Sequence, residues 1–137
     1  MKALLKYWPT GNSGKELCFL NEIEDIMEHL VPQDILPFRD VLFKRIAKCL
    51  GSPNNQVAER TLCLWSSASY ESVVMKDKDN VKAVARIVYP ALRKCSEESE
   101  SVSIRQMAQH VIGLLVDRCF DEVDALSRQY EGEHSRV

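Results

Sequence analysis

Towards the carboxy terminus, Ile104, Ala108, Val111, Leu115, Cys119 and Leu126 follow one another at spacings of four, three, four, four and seven. A helix of 3.6 residues per turn lines such residues up on one face. The same period appears upstream. Leu17, Phe19, Leu20, Ile23, Ile26, Met27, Leu30 and Val31 cover about half of a helical wheel, with Asn21, Glu22, Asp25, Glu28 and His29 opposite. So wide an apolar face suits a helix packed against more than one neighbour. No convincing period-two alternation lies between turn signals, so the expected class is all-α.

Five glycines and five prolines punctuate the pattern. Ser13-Gly14-Lys15-Glu16 reads as a capping box opening the first helix, and Pro32 is expected to break it. A second stretch spans 33–50, with a short turn before Pro37 and then a helix carrying Phe38, Val41, Leu42, Ile46, Cys49 and Leu50. Gly51-Ser52-Pro53 combines a stop, an N-cap and a first-position proline. The third helix places Val57, Ala58, Thr61, Leu62, Leu64 and Trp65 on one face. A short helix over 69–75 and a polar loop over 76–80 come next. The fourth helix, 81–95, carries Val81, Val84, Val88, Ala91 and Leu92 and should kink at Pro90. The expected division is the end of a preceding repeat at 1–12, a repeat at 13–50, a second at 52–95, an acidic linker at 96–103, a last long helix at 104–131 and a frayed tail at 132–137.

Starts near Gly14, Pro53 and Val102 lie 39 and 49 residues apart, a bracket that includes the two-helix HEAT unit. From pattern alone, a helical repeat and an unrelated bundle stand equal.

A net charge of -2 gives no electrostatic reason to bind nucleic acid or an anionic membrane. Apolar runs such as 111–116 are too short to span a bilayer, and 1–8 lacks the apolar core and cleavage site of a secretory signal. The five cysteines, Cys18, Cys49, Cys63, Cys95 and Cys119, are odd in number and never form C-x-x-C. They point to a reducing compartment, cytosol or nucleus, and to neither disulfides nor zinc. His29, His110 and His134 are scattered without the spacing of a metal site, and no phosphate loop, glycine fingerprint or G-x-S-x-G occurs. No cofactor and no catalysis are expected. The enzymatic alternative is a small helical enzyme with Cys49 or Cys63 as nucleophile.

Candidate contact residues are few. Lys44 and Lys48 share a helix face beside Arg45. Glu22, Asp25 and Glu28 make an acidic face whose plain explanation is solvation. Gln56, Glu59 and Arg60 form a polar stripe beside the apolar face of the third helix, which either bonds to the next repeat or lines a partner surface. The internal role is the expected one. Trp8 and Trp65 belong to apolar runs and read as core anchors.

Read as words, the sequence is more specific. LLKYWP at Leu4 to Pro9, KELCFLNEIEDI at Lys15 to Ile26, LFKRIAKCLGSP at Leu42 to Pro53 and QVAERTLCLW at Gln56 to Trp65 strongly resemble the B-prime (56 kDa) regulatory subunits of protein phosphatase 2A. The resemblance continues through IVYPAL at Ile87 to Leu92 and ends near Leu115 to Phe120. It implies an α-solenoid fragment of HEAT-like repeats, about three helix pairs, that joins the scaffold and catalytic subunits and directs the phosphatase to substrates. The family's groove for short linear motifs lies in earlier repeats, outside this chain. Two stretches depart from the family: 96–103 replaces a region that usually carries a tryptophan and basic residues, and 66–78 diverges. The alternative within the same fold is a generic HEAT-repeat adaptor without a phosphatase. The family also places Leu4, Leu5, Tyr7 and Trp8 at the end of a repeat, which leads us to expect that the fragment self-associates or covers its amino-terminal face with another chain.

Overall fold

A computed structural model describes residues 13–67 and 71–134. Expectations for Leu4, Leu5, Tyr7 and Trp8, for the side chain of Ser13 in its capping box and for 135–137 fall outside the described residues. The elements in order are α1 (Ser13–Met27), a 3-10 turn (Pro32–Ile35), α2 (Arg39–Leu50), α3 (Asn55–Cys63) continued by a 3-10 turn (Leu64–Ser66), a π-helical turn (Glu71–Met75), α4 (Lys78–Glu98) and α5 (Val102–His134). No strand occurs among the described residues, and the chain is all-α.

Helix α1 buries Leu20, Ile23 and Met27 completely or nearly so and turns Asn21, Glu22 and Asp25 to solvent; Glu28, just beyond its end, is exposed too. It ends at Met27, before the expected break at Pro32, and leaves Val31 exposed. A local start signal competes with continuation. Pro32 occupies the first turn of the next element, and the Asp34 carboxylate accepts a hydrogen bond from Val31 N at 3.0 Å.

In α2 the buried stripe is Leu42, Phe43, Ile46, Cys49 and Leu50. Val41, expected in the core, is 58% exposed, and Phe43, absent from the expected set, is fully buried. The correction is one of phase: Val41 lies about 100° back from the edge of the stripe and turns outward. Gly51 closes α2 with φ −88°, and the cap of α3 is Asn54, two residues later than the expected Ser52. Asn54 Oδ1 accepts from Gln56 N at 2.9 Å, while Ser52 Oγ accepts from Asn54 N at 3.2 Å. The helix begins only at Asn55, and Asn54, in extended geometry at φ −89° and ψ 114°, takes the cap.

Val57, Ala58, Thr61, Leu62, Leu64 and Trp65 are all buried, as their spacing implied. The Thr61 hydroxyl is satisfied by donating to Val57 O at 2.7 Å. Helix α4 begins within the expected polar loop, capped by Asp77, whose side chain accepts from Asn80 N at 3.0 Å. It runs unbroken across an exposed Pro90 and takes in Ser96, Glu97 and Glu98, so the stretch expected as an acidic linker is helical at both ends.

Helix α5 is interrupted at Cys119, whose φ and ψ are −149° and 63°. The side-chain contacts show how far the chain turns there. Arg86 meets Glu122, and Arg93 meets Ser127 and Glu131. On both strands of that contact the numbers rise together, so the second arm (120–134) runs parallel to α4. The first arm (102–118) leaves α4 through the short turn at 99–101 and runs back along it. Gly132, expected in a frayed tail, lies within the second arm.

The helices therefore alternate between two rows. Helices α1 and α3 pack together, and α3 packs on α5, with Ala58 and Ile104 lining one cavity between them. In the other row α2 packs on α4, and α4 carries the second arm. The core between the rows is continuous from Leu20 to Tyr130.

Candidate partner interface

Alternation puts two kinds of connection on opposite edges. One edge holds the tight turns 51–54 and 99–101 with a cavity of about 560 Å³ between them. The other holds 28–38, the π-helical turn that leads into α4, and the break at Cys119. Asn80, only 1% exposed, ties this second edge together. Its Oδ1 accepts from Arg39 Nη1 at 2.9 Å, and its Nδ2 donates to Pro32 O at 3.2 Å and Val73 O at 3.4 Å.

Of the large apolar side chains that stand exposed, Val31, Leu36 and Phe120 lie on this edge, and Val41 lies in the first turn of α2 beside it. Exposed Lys76, Lys78 and Lys82 accompany them. An exposed apolar row with interspersed charge marks a surface for another chain better than scattered single residues do.

The residues singled out from sequence separate onto different rows. Arg60 on α3 donates from Nε to Asn21 Oδ1 at 2.7 Å and pairs through Nη2 with Glu24 Oε2, both on α1. Gln56 is exposed and Glu59 half-buried, and neither joins that bridge. Lys44 and Lys48 are exposed on α2, in the other row, in line with Val41. Glu22 and Asp25 on α1, and Glu28 in the turn just after it, face solvent.

Sequence reasoning missed the second bridge, centred on Arg93 of α4. Its guanidinium donates to Glu97 at 2.5 Å, Tyr89 Oη at 2.9 Å and Ser127 Oγ at 3.2 Å, pairs with Glu131 at 3.2 Å and lies 5.3 Å from the centroid of the Tyr130 ring. The spacing of Arg93 to Glu97 was visible as an i, i+4 pair, but the partners at 127–131 depend on the reversal at Cys119.

Burial pushes the Cys49 thiol up to about 12 and raises those of Cys95 and Cys119 as well. Burial at 3% exposure and a raised thiol both disfavour the thiolate that a nucleophile needs at Cys49. Cys18 and Cys63 are exposed. No cluster of three or more His, Cys, Asp or Glu able to hold a metal occurs among the described residues, and no described helix is long and apolar enough to cross a membrane.

Comparison with known proteins places these features in a family. The family model described as "Protein phosphatase 2A regulatory B subunit (B56 family)" matches residues 1–137. The chain is 40% identical over 131 residues to the serine/threonine-protein phosphatase 2A 56 kDa regulatory subunit delta 2 isoform of Schizosaccharomyces pombe, covering 96% of this chain and 20% of that protein. It is 35% identical to the regulatory subunit pptr-1 of Caenorhabditis elegans over 135 residues, 98% of this chain and 24% of the relative. To the delta isoform of Homo sapiens it is 33% identical over 133 residues, 97% of this chain and 22% of the relative. The chain thus spans between a fifth and a quarter of the length of these relatives. Across its whole length, this chain belongs to the B56 family of protein phosphatase 2A regulatory B subunits.

Proposed function

We propose that the chain is part of a non-catalytic regulatory subunit of a protein phosphatase 2A holoenzyme, binding the scaffold and catalytic subunits and leaving hydrolysis to the latter. The observation that carries this is the family match over residues 1–137, together with relatives that bear the name of regulatory subunit. The two-row stacking supports HEAT-like repeats, in which successive helices and their connections build one extended surface. On this reading the edge formed by Val31, Leu36, Val41 and Phe120 meets the core enzyme, and Lys44, Lys48, Gln56 and Glu59 contribute from the helix faces. Arg60 acts through the fold by holding α1 on α3. Substrate choice by a linear-motif groove rests with repeats outside this chain, and cytoplasm or nucleus is its setting.

A pull-down with purified scaffold–catalytic core tests the reading. We expect weak, saturable binding, because only part of the subunit surface is present. No phosphopeptide should be hydrolysed unless the catalytic subunit is added. Absence of core binding at micromolar concentrations would favour the generic adaptor, and hydrolysis by the chain alone would overturn the non-catalytic assignment.

A further inference from the structure

The reversal at Cys119 does more than return the chain along α4. It leaves Phe120 at the tip of the turn with 63% of its surface exposed, the most exposed large apolar side chain among the described residues. Core burial does not require this. Leu115 and Val123, on either side of the turn, are buried at 0% and 4% exposure and complete the packing without it. Beside Phe120 opens a cavity of about 330 Å³, whose other walls are Lys78 and Lys82 from the start of α4 and residues 118–122 of the turn.

The charges around this cavity are unequally committed. Glu122 is occupied by Arg86, whose Nε donates to it at 2.5 Å. That hydrogen bond holds the Glu122 carboxyl below its ordinary range. Arg118 has interactions of its own within the chain. Lys78 and Lys82 sit four residues apart on α4 and are both exposed, Lys82 close enough to help hold the Glu122 carboxyl down and neither forming a salt bridge among the described residues. Asp121 is the one carboxylate of the lining without an ion pair among the described residues. The lining carries Lys78, Lys82 and Arg118 against Asp121 and Glu122, and Glu122 is already held by Arg86, so positive charge is in excess beside an exposed ring. Such a site complements an anionic group next to an apolar one: the ring takes apolar contact, and the lysines supply charge and steering.

We infer that the Phe120–Lys78–Lys82 cavity docks an acidic linear segment of a partner protein, with an apolar side chain on the Phe120 ring and carboxylates at Lys78 and Lys82. The inference rests on reading this edge as the partner surface and names the chemistry of what it takes. A second copy of the chain is disfavoured as occupant, because the exposed lysines surrounding this cavity would face the same lysines across a two-fold axis.

The test uses the whole chain and a fluorescent peptide of glutamates interrupted by two leucines, with a glutamine-for-glutamate peptide as control. We expect anisotropy to show binding that weakens with salt, and the control to bind about tenfold or more weakly. Phe120→Ala, and separately Lys78→Glu with Lys82→Glu, should each weaken binding by about tenfold at unchanged melting temperature. Lys94→Glu, an exposed lysine at the cavity of the opposite edge, should leave it unchanged. A photoreactive leucine analogue in the peptide should crosslink within 118–122 or at the start of α4, a readout that needs no variant. Equal binding of the control, insensitivity to the variants, crosslinks confined to other helices, or a concentration-dependent dimer abolished by Phe120→Ala would each overturn the inference. Binding of the core enzyme is scored separately, so core binding without peptide binding sinks this inference alone, while peptide binding without core binding sinks only the phosphatase assignment.

Discussion

Arg60 Nε donates to Asn21 Oδ1 at 2.7 Å across 39 positions of sequence, and its Nη2 pairs with Glu24 one turn further along α1. The side chains of Arg60 and Glu24 are 24% and 29% exposed, so the bridge is only partly screened. Arg60→Ala should cost about 1–2 kcal/mol after allowance for solvent. That corresponds to a fall of roughly 3–10 °C in melting temperature for a chain of this size. Core-enzyme binding, measured well below the transition, should persist. An unchanged melting curve with binding lost would place Arg60 on the partner surface instead.

Asn80 is the buried polar centre of the connection edge. Asn80→Leu removes the partners of Pro32 O, Val73 O and Arg39 Nη1 at once, and each buried orphan carries a desolvation penalty. We expect a loss of about 2–4 kcal/mol in denaturant unfolding. Hydrogen exchange should rise first in 28–38 and 71–80. A loss below about 0.5 kcal/mol, the level of an ordinary surface change, would mean the connections are held by apolar packing alone.

Arg93 couples α4 to the second arm of α5 through a planar fork and a cation–π contact. Arg93→Lys keeps the charge but cannot reach Glu97, Tyr89 Oη and Ser127 together, so charge alone is tested against geometry. Amide protection in 120–134 should fall while protection in α1 to α3 is retained. Equal protection in both proteins would show that burial of Val123 and Tyr130 suffices to hold the arm.

The thiols give a pH signature. The Cys49 thiol titrates at about 12 in the folded chain against an ordinary 9.0. Its contribution to stability is complete below pH 9 and is lost as pH rises from 9 towards 12, because the unfolded chain ionises first. The slope is at most about 1.4 kcal/mol per pH unit for such a group. Cys95 and Cys119 shift in the same direction. In reducing buffer, stability should therefore fall less steeply between pH 8 and 10 for Cys49→Ala than for the parent. At pH 8, Cys18 and Cys63 should react with a thiol reagent well before the other three. Parallel pH slopes for the two proteins would refute the burial of Cys49.

The sequence by itself determined the helices and much of the core, because each is set by neighbours within a few positions. Leu20, Ile23, Val57, Leu62, Val88 and Leu115 are buried where their helical spacing put them. The family was legible too, in runs of residues whose order no helical period demands. Local rules also explain the errors near the ends: Asn54 outcompeted Ser52 as a cap, Asp34 restarted the chain after Met27, and Val41 lay just off the apolar arc. Only the tertiary structure decided how far α5 turns at Cys119. The residues from Leu115 to Val123 keep an unbroken helical rhythm, and no glycine or proline marks the reversal. The preference for reversal comes from α4, which offers Tyr89, Arg93 and Arg86 to an arm running beside it. The same reason hid the bridges of Arg60 and Asn80 and the exposure of Phe120. Which polar groups meet, and which apolar ones are left over, depends on how two rows of helices are set against each other, and a single helical period carries no record of that.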